Sequence, residues 1–310
     1  MKDTHGAISL ARLCRLLGVT RQAYYQHFWD VSDVSIEHQL VLDQVSRIRQ
    51  LHPAIGMRKL YYLLQSFLLE HQIKMGRDAL FDVLAANKLL VRKRRRRINT
   101  TQSHHWLKKY PNLIKEWIPI KPNQLWVADI TYIPLTSGFS YLSLITDAYS
   151  HKIMGYALAD NLEAVHTTKA LQMALSNLSE VPDGIIHHSD RGIQYCSYDY
   201  VGILKKNNMQ ISMTENGDPL ENPVAERING ILKQEYLRHY PLTHRTQVAE
   251  LLTDVVERYN TLRPHQSINM ITPEVAHEKQ LPINRTWSKK KHYLTLSTQD
   301  RIIKKTVNLF

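Results

Sequence analysis

The chain has 310 residues, 43% of them hydrophobic, with 40 Lys and Arg against 28 Asp and Glu for a net charge of +12; that length has room for two or three domains, one with a sizeable core. No apolar run approaches the ~18 residues of a membrane span, the charged N-terminus is no secretion signal, and Cys14 and Cys196 are too few for a disulfide framework or a zinc knuckle, so a reduced cytoplasmic protein is expected. The charge is segregated: residues 88–121 carry eleven basic and one acidic side chain and residues 281–310 seven and one, whereas residues 122–280 carry twelve and eighteen, the balance of an enzyme that grips DNA or RNA with its flanks and collects carboxylates for a metal.

In chain order, residues 8–29 read as helix–turn–helix. Leu10, Leu13, Leu16 and Leu17 form an apolar stripe, Gly18 ends the helix, and Thr20 caps a second helix from Arg21 to Phe28. Arg21, Gln22, Tyr25 and Gln26 on that second helix suit a major groove, although a helical hairpin packed on a neighbour reads equally well. Three more helices follow within 36–91: Ile36–Leu51, broken at His52-Pro53, one from about Met57, and one from about Arg77 to Ala86 with Asn87 as its C-cap. Then come six consecutive cations, Arg92-Lys93-Arg94-Arg95-Arg96-Arg97. Like charges at that density repel and cannot pack, so they predict a solvated arm that gains order on phosphate, Arg94, Arg95, Arg96 and Arg97 among its contacts. Residues 92–121 read as a basic linker, with Trp106 and Trp117 as anchors against DNA or the next domain.

From Gln124 the periodicity changes to strands: Trp126–Ile133, Phe139–Asp147 after a Ser137-Gly138 turn, and Lys152–Leu158. A helix over Leu162–Leu178, a strand over Gly184–His188, a helix over Tyr198–Lys206 and a strand over Gln210–Met213 complete an α/β pattern. Three antiparallel strands followed by strands alternating with helices is the ribonuclease-H-like order, a mixed sheet flanked by helices and here preceded by all-α helix-turn-helix modules. Asn222 and Pro223 open a further helix as cap and first-turn proline, with Val224, Ile228, Ile231 and Leu232 facing a core and Glu226 and Lys233 sharing the opposite side. Val248, Leu251, Leu252, Val255, Val256 and Tyr259 stripe another helix, and Thr272-Pro273-Glu274 starts one more. The expected units are 1–35, 36–91, the linker 92–121, a catalytic domain 122–280, and a basic tail 281–310 with strand-like pieces at His292–Leu296 and Val307–Phe310.

Asp129 interrupts a strand in which Asp is disfavoured, Asp190 ends the fourth strand, and Glu226 follows it with thirty-five residues between. Taken singly each acid reads as a surface or cap carboxylate. Taken together, with Trp126-Val127-Ala128-Asp129-Ile130-Thr131-Tyr132, His188-Ser189-Asp190-Arg191-Gly192-Ile193-Gln194-Tyr195, Glu226 with Lys233 seven residues on, and Tyr259-Asn260-Thr261-Leu262-Arg263-Pro264-His265, the chain resembles insertion-sequence transposases of the IS-three family. The part it resembles is their second-reading-frame protein, which has a retroviral-integrase-like catalytic core.

The resemblance implies that residues 36–91 are a second helix-turn-helix module. It implies that Asp129, Asp190 and Glu226 are both metal ligands and catalytic residues, holding two Mg²⁺ ions (or Mn²⁺ as substitute), with Asp129 shared. It also implies DNA cleavage and strand transfer on double-stranded element ends and target, and a homo-oligomer on DNA. The family often has Asp-Asn-Ala where this chain has Glu221-Asn222-Pro223, and a fused or separate upstream-frame product is expected to supply multimerisation and specific end binding. Localisation at the bacterial nucleoid follows.

Lys233 is read as a contact to an element-end phosphate or as a solvated helix lysine. Glu221 and Glu235 are rival third acids, Asp147 is a turn cap or a fourth acid, and His188 is a core histidine or a substrate contact. Arg263 and His265 are cations at a helix C-terminus. A catalytically silent DNA-binding repressor and a ribonuclease or repair nuclease on the same fold are the competing readings.

Overall fold

A computed structural model describes residues 9–91, 106–115, 117–136, 138–215 and 221–279, the side chains of 26–35 excepted. The Arg94–Arg97 arm, Ser137 of the expected turn and the strand-like pieces of the tail lie outside the described residues. Helix α1 (Leu10–Leu16) ends at Leu17, and Gly18 follows with φ +69°, the left-handed conformation that glycine adopts without strain. The expected leucine stripe is only partly covered: Leu10 and Leu13 are half-buried, Leu16 and Leu17 are exposed, and Cys14 is the buried residue of α1. Thr20 caps α2 as expected, accepting from the Ala23 amide at 3.0 Å. However, α2 runs unbroken from Arg21 to Leu51. The two helices expected over 21–28 and 36–51 are one, and a boundary at residue 35 would fall inside it. No Gly or Pro occurs between Arg21 and Leu51, so nothing in the backbone chemistry stops the helix. Helices α3 (Met57–Glu70) and α4 (Arg77–Ala86) fold against its second half. Val41, Val45, Leu60, Leu64, Leu80 and Leu84 form the shared core of this module.

The five strands are β1 (Leu125–Pro134), β2 (Phe139–Asp147), β3 (Ile153–Ala159), β4 (Ile186–Ser189) and β5 (Gln210–Met213). They lie in the order β3-β2-β1-β4-β5, antiparallel across the first three and parallel across β1, β4 and β5. This is the ribonuclease-H-like arrangement, with β1 at its centre. The two-residue period of β1 sorts its side chains: Trp126 and Ala128 join the core under α5 (Ala164–Ser176) and α7 (Tyr198–Lys206). Ile133 joins the opposite core, under α8 (Pro223–Ile231) and α9 (Arg245–Thr261). Asp129 and Thr131 share the parity of Ile133 and so belong to the α8 face. A four-residue helix, α6 (Ile193–Cys196), and α10 (Pro273–Lys279) complete the set.

Helix α5 lies so close to β3 that a Cβ on Gly155 would overlap Ala170 O and stand 2.6 Å from Ala174 N, both helix backbone. Gly155→Ala must therefore lift α5 off the sheet, and we expect a loss of about 3 kcal/mol in urea unfolding. A variant within about 0.5 kcal/mol of the parent, the usual range of a neutral surface change, would show that this approach is loose.

Candidate active site

The β1–β4 pairing sets Leu125 opposite Ile186 and Val127 opposite His188. Carried two residues further, that parallel register brings Asp129 beside Asp190, at the point where β4 has just ended. The Asp190 carboxylate is oriented locally, its Oδ1 accepting from the Gly192 amide at 2.9 Å. A Cβ on Gly192 would stand 2.9 Å from the same oxygen, so a larger residue there would shift the Asp190 carboxylate. Asp129 Oδ1 accepts from the Ile130 amide at 2.9 Å, and Oδ2 accepts from Asn229 Nδ2 at 2.7 Å. Asn229 lies on α8 three residues beyond Glu226, and it is a site residue that sequence reasoning missed.

Three polar contacts fasten α8 and the turn after it to β1. Asn222 Nδ2 donates to Ala128 O (3.0 Å), Asn229 to Asp129, and Lys233 Nζ to Thr131 Oγ1 (2.9 Å). Asn222 therefore occupies the N-cap position without capping: its side chain reaches the strand and not the helix amides, while Pro223 sits in the first turn as expected. Lys233 is half-buried. Burial pushes its ammonium below the ordinary lysine pKa, against the opposing pull of the Asp129 carboxylate. It stands beside the acid, on a strand hydroxyl. Glu226 is exposed on the same helix.

Asp129 is half-buried, and burial first, then the Asp190 charge and more weakly that of Glu226, raise its pKa to about 7; the Asn229 and Ile130 hydrogen bonds pull the other way. The three predicted acids thus share one electrostatic neighbourhood with Asp129 as its hub. Among the described residues no three His, Cys, Asp or Glu side chains already converge into a metal cage. The donor chemistry nevertheless fits a hard divalent cation: carboxylate oxygens only, held at a charge density that favours protonating one of them.

The rival residues are used elsewhere. Asp147 is fully buried, accepting from the Asn123 amide (2.7 Å), the Ser150 amide (2.7 Å) and the Ser150 hydroxyl (2.7 Å), which makes it a turn cap. Glu221 Oε2 accepts from the Glu215 amide. Glu235 receives both Nε (2.9 Å) and Nη2 (3.0 Å) of Arg263, whose side chain is 1% exposed. Arg263 is therefore a buried ion-pair partner and not a cation resting at a helix end. His265 hydrogen-bonds Arg263 Nη1 (2.7 Å), and burial holds its imidazole well below the usual histidine pKa. His188 is fully buried on Ser212 Oγ (2.8 Å), a core histidine. Arg21 and Gln22 are exposed on the first turn of α2.

Asp129 titrates near pH 7 in the folded chain and near 3.9 unfolded. The folded state therefore holds the extra proton between those values, and stability falls as pH rises from about 4 to 7. In chelator, Asp129→Asn should flatten that decline and melt a few degrees above the parent at pH 8. Equal pH slopes in thermal melts of the two proteins would return Asp129 to an ordinary carboxylate.

Comparison with known proteins identifies two matches to an integrase core domain, over residues 119–219 and 207–273. The chain is 36% identical over 272 residues to the 31 kDa protein of insertion element IS600 of Shigella sonnei, covering 86% of this chain and 98% of that one. It is 29% identical to the transposase of insertion sequence IS629 of Shigella sonnei (73% of this chain, 74% of the relative). To the transposase InsF of insertion sequence IS3A of Escherichia coli K12 it is 32% identical (57% and 62%). Among solved structures, the HTLV-2 integrase catalytic core in complex with magnesium superposes with a TM-score of 0.42 at 19% identity, over 51% of this chain and 97% of that one. With these relatives and this sheet, the chain belongs to the insertion-sequence transposases of the IS-three family, enzymes of polynucleotidyl-transferase type built on an integrase core domain.

Proposed function

We propose that the protein cuts the ends of its own element and joins them to DNA, with Asp129, Asp190 and Glu226 as the metal-binding catalytic acids. The observation that carries this reading is the state of Asp129: a half-buried strand carboxylate whose proton affinity is raised to about pH 7 with the charges of Asp190 and Glu226 among the causes. Such a cluster is poorly neutralised by protons at working pH and well neutralised by a divalent cation. Mg²⁺ would suit it and Mn²⁺ would replace it, with Asp129, Asp190 and Glu226 as the residues that would hold two such ions for an in-line phosphoryl transfer. When bound, the metal supplies Lewis-acid stabilisation of charge on the attacking and leaving oxygens.

The chain's own residues do the rest. Asp129 binds only when ionised, so it must lose its proton, and it is held in place by Ile130 N–H and Asn229. The Gly192 amide aims Asp190, and α8 carries Glu226 on a helix fastened to β1. Lys233, on Thr131 beside Asp129, presents positive charge where a DNA phosphate would lie. At this site a water attacking the phosphodiester breaks the strand and leaves a 3′-hydroxyl; that hydroxyl, attacking a second phosphodiester, forms the new P–O bond as the old one leaves. No covalent enzyme intermediate is needed. Arg21 and Gln22, with Arg94, Arg95, Arg96 and Arg97, supply double-stranded DNA contacts. A homo-oligomer assembled on element ends in the cytoplasm, with an upstream-frame product as a further partner, completes the reading. No helix of the described residues is long and apolar enough to cross a membrane. All three acids are present, which disfavours a catalytically silent repressor.

Asp129→Asn, Asp190→Asn and Glu226→Gln should each abolish strand transfer, by at least about 10³-fold, while leaving affinity for element-end duplex within a few-fold. Normal joining by any of them in Mg²⁺ would remove that residue from the site. Neutralising Arg94–Arg97 should reduce the slope of log affinity against log salt by a few units, at about 0.9 for each phosphate that is no longer neutralised. An unchanged slope would mean that the arm never reaches the duplex.

A further inference from the structure

Asn222 and Asn229 are the same residue type on the same helix, both more than nine-tenths buried, and both donate their amide hydrogen to β1. Among the described residues, each is left with a buried Oδ1 that has no hydrogen-bond partner. Their strand partners differ. Asn222 holds a backbone carbonyl, Ala128 O, whereas Asn229 holds the carboxylate of Asp129 itself, at 2.7 Å. With Ile130 N–H on Oδ1 and Asn229 on Oδ2, each oxygen of Asp129 has its own fixed donor, so the carboxylate cannot turn without losing one. Each oxygen still keeps a second acceptor site for another ligand.

The orphaned oxygen of Asn229 points to what that ligand is. A buried acceptor without a donor costs about 1–3 kcal/mol, and a Leu in the same space would avoid the cost. The carboxylates beside Asn229 supply acceptors, and the nearby Lys233 ammonium donates to Thr131 Oγ1. A hydrated divalent cation supplies donors, because Mg²⁺ and Mn²⁺ retain several polarised waters when bound to a few carboxylates.

We propose that Asn229 is a positioning residue of the cation site: its amide N–H fixes the Asp129 carboxylate, and its amide oxygen accepts from a water of the hydrated cation. The proposal rests on the reading of Asp129 as a metal ligand. Removal of such an outer partner costs 10–100-fold in metal affinity elsewhere, and the same is expected here.

The test is Mn²⁺ binding to full-length protein without DNA, counted from the free-ion signal in electron paramagnetic resonance, together with melting in chelator. Asp129→Asn comes first: if it leaves Mn²⁺ affinity unchanged, the site assignment itself falls. If it abolishes binding, Asn229→Ala and Asn229→Ser decide the inference, the smaller polar Ser serving if Ala fails to fold. Weakening of Mn²⁺ binding by 10-fold or more, in a variant that still melts cooperatively in chelator, supports the inference, as does a fall in kcat for end cleavage with KM for DNA little changed. Binding within threefold of the parent overturns it. Asn222→Ala controls for mere movement of the helix: it should lower the melting temperature more than it lowers Mn²⁺ affinity. If it weakens Mn²⁺ as much as Asn229→Ala does, the effect belongs to helix docking and the inference is wrong.

Discussion

The site depends on one seam, the polar contact between α8 and the central strand. Apolar packing of Ile228, Ile231 and Leu232 brings the helix to the sheet, but such contacts are non-directional and would allow it to slide or rotate. The three hydrogen bonds from Asn222, Asn229 and Lys233 to Ala128, Asp129 and Thr131 remove that freedom, because each needs a particular residue at a particular height on β1. Glu226 projects from the helix between the first two of these contacts. Its place relative to Asp129 is therefore set by neighbours on both sides.

Beyond Ile231 the helix widens into a π-turn, Leu232–Tyr236, and that turn is where the helical module meets the catalytic unit. Ala54 N–H donates to Glu235 O (3.2 Å), His52 Nδ1 and the Tyr236 hydroxyl share a hydrogen bond of 2.8 Å, and Lys59 Nζ lies 3.8 Å from the Glu235 carboxylate. Glu235 is in turn gripped by Arg263. A buried ion pair is weak evidence for net stability, since desolvation offsets most of its Coulomb gain, yet removal of one partner would strand a charge. Its effect is to hold three distant stretches in one arrangement. The Tyr259 to His265 motif is built into the same framework: Asn260 bonds both the amide and the carbonyl of Ile153 like an added strand residue, and the Tyr259 hydroxyl donates to His151 O.

The electrostatics of the site follow from this packing. A sheet covered by helices on both faces has low polarity at its centre, and Asp129 sits there with a second carboxylate at the next strand and a third on the helix. Folding alone leaves that charge uncomfortable, which is why Asp129 holds its proton to about pH 7. Unfavourable charge of this kind marks a candidate ligand site, where a cation would supply the missing counter-charge.

The local elements were legible in the order of the amino acids, and three acids stood out there as candidates. Residue patterns located all five strands and the longer helices around them, α6 excepted, because half-buried strands and amphipathic helices repeat with fixed periods. Asp129 stood out as a lone Asp in a strand, and the resemblance to the transposase motifs, with thirty-five residues between Asp190 and Glu226, marked all three as candidates. Residues 21–51 read as two helices and fold as one; the stretch holds no Gly or Pro, the residues that most strongly interrupt a helix. Tertiary structure alone decided the long-range polar pairs: Asn229 with Asp129, 100 positions apart, Lys233 with Thr131, 102 apart, and Glu235 with Arg263. Asn, Thr and Glu on a helix or strand carry no periodic signal, and a hydrogen bond between them exists only once apolar packing has set the register of the elements that bear them.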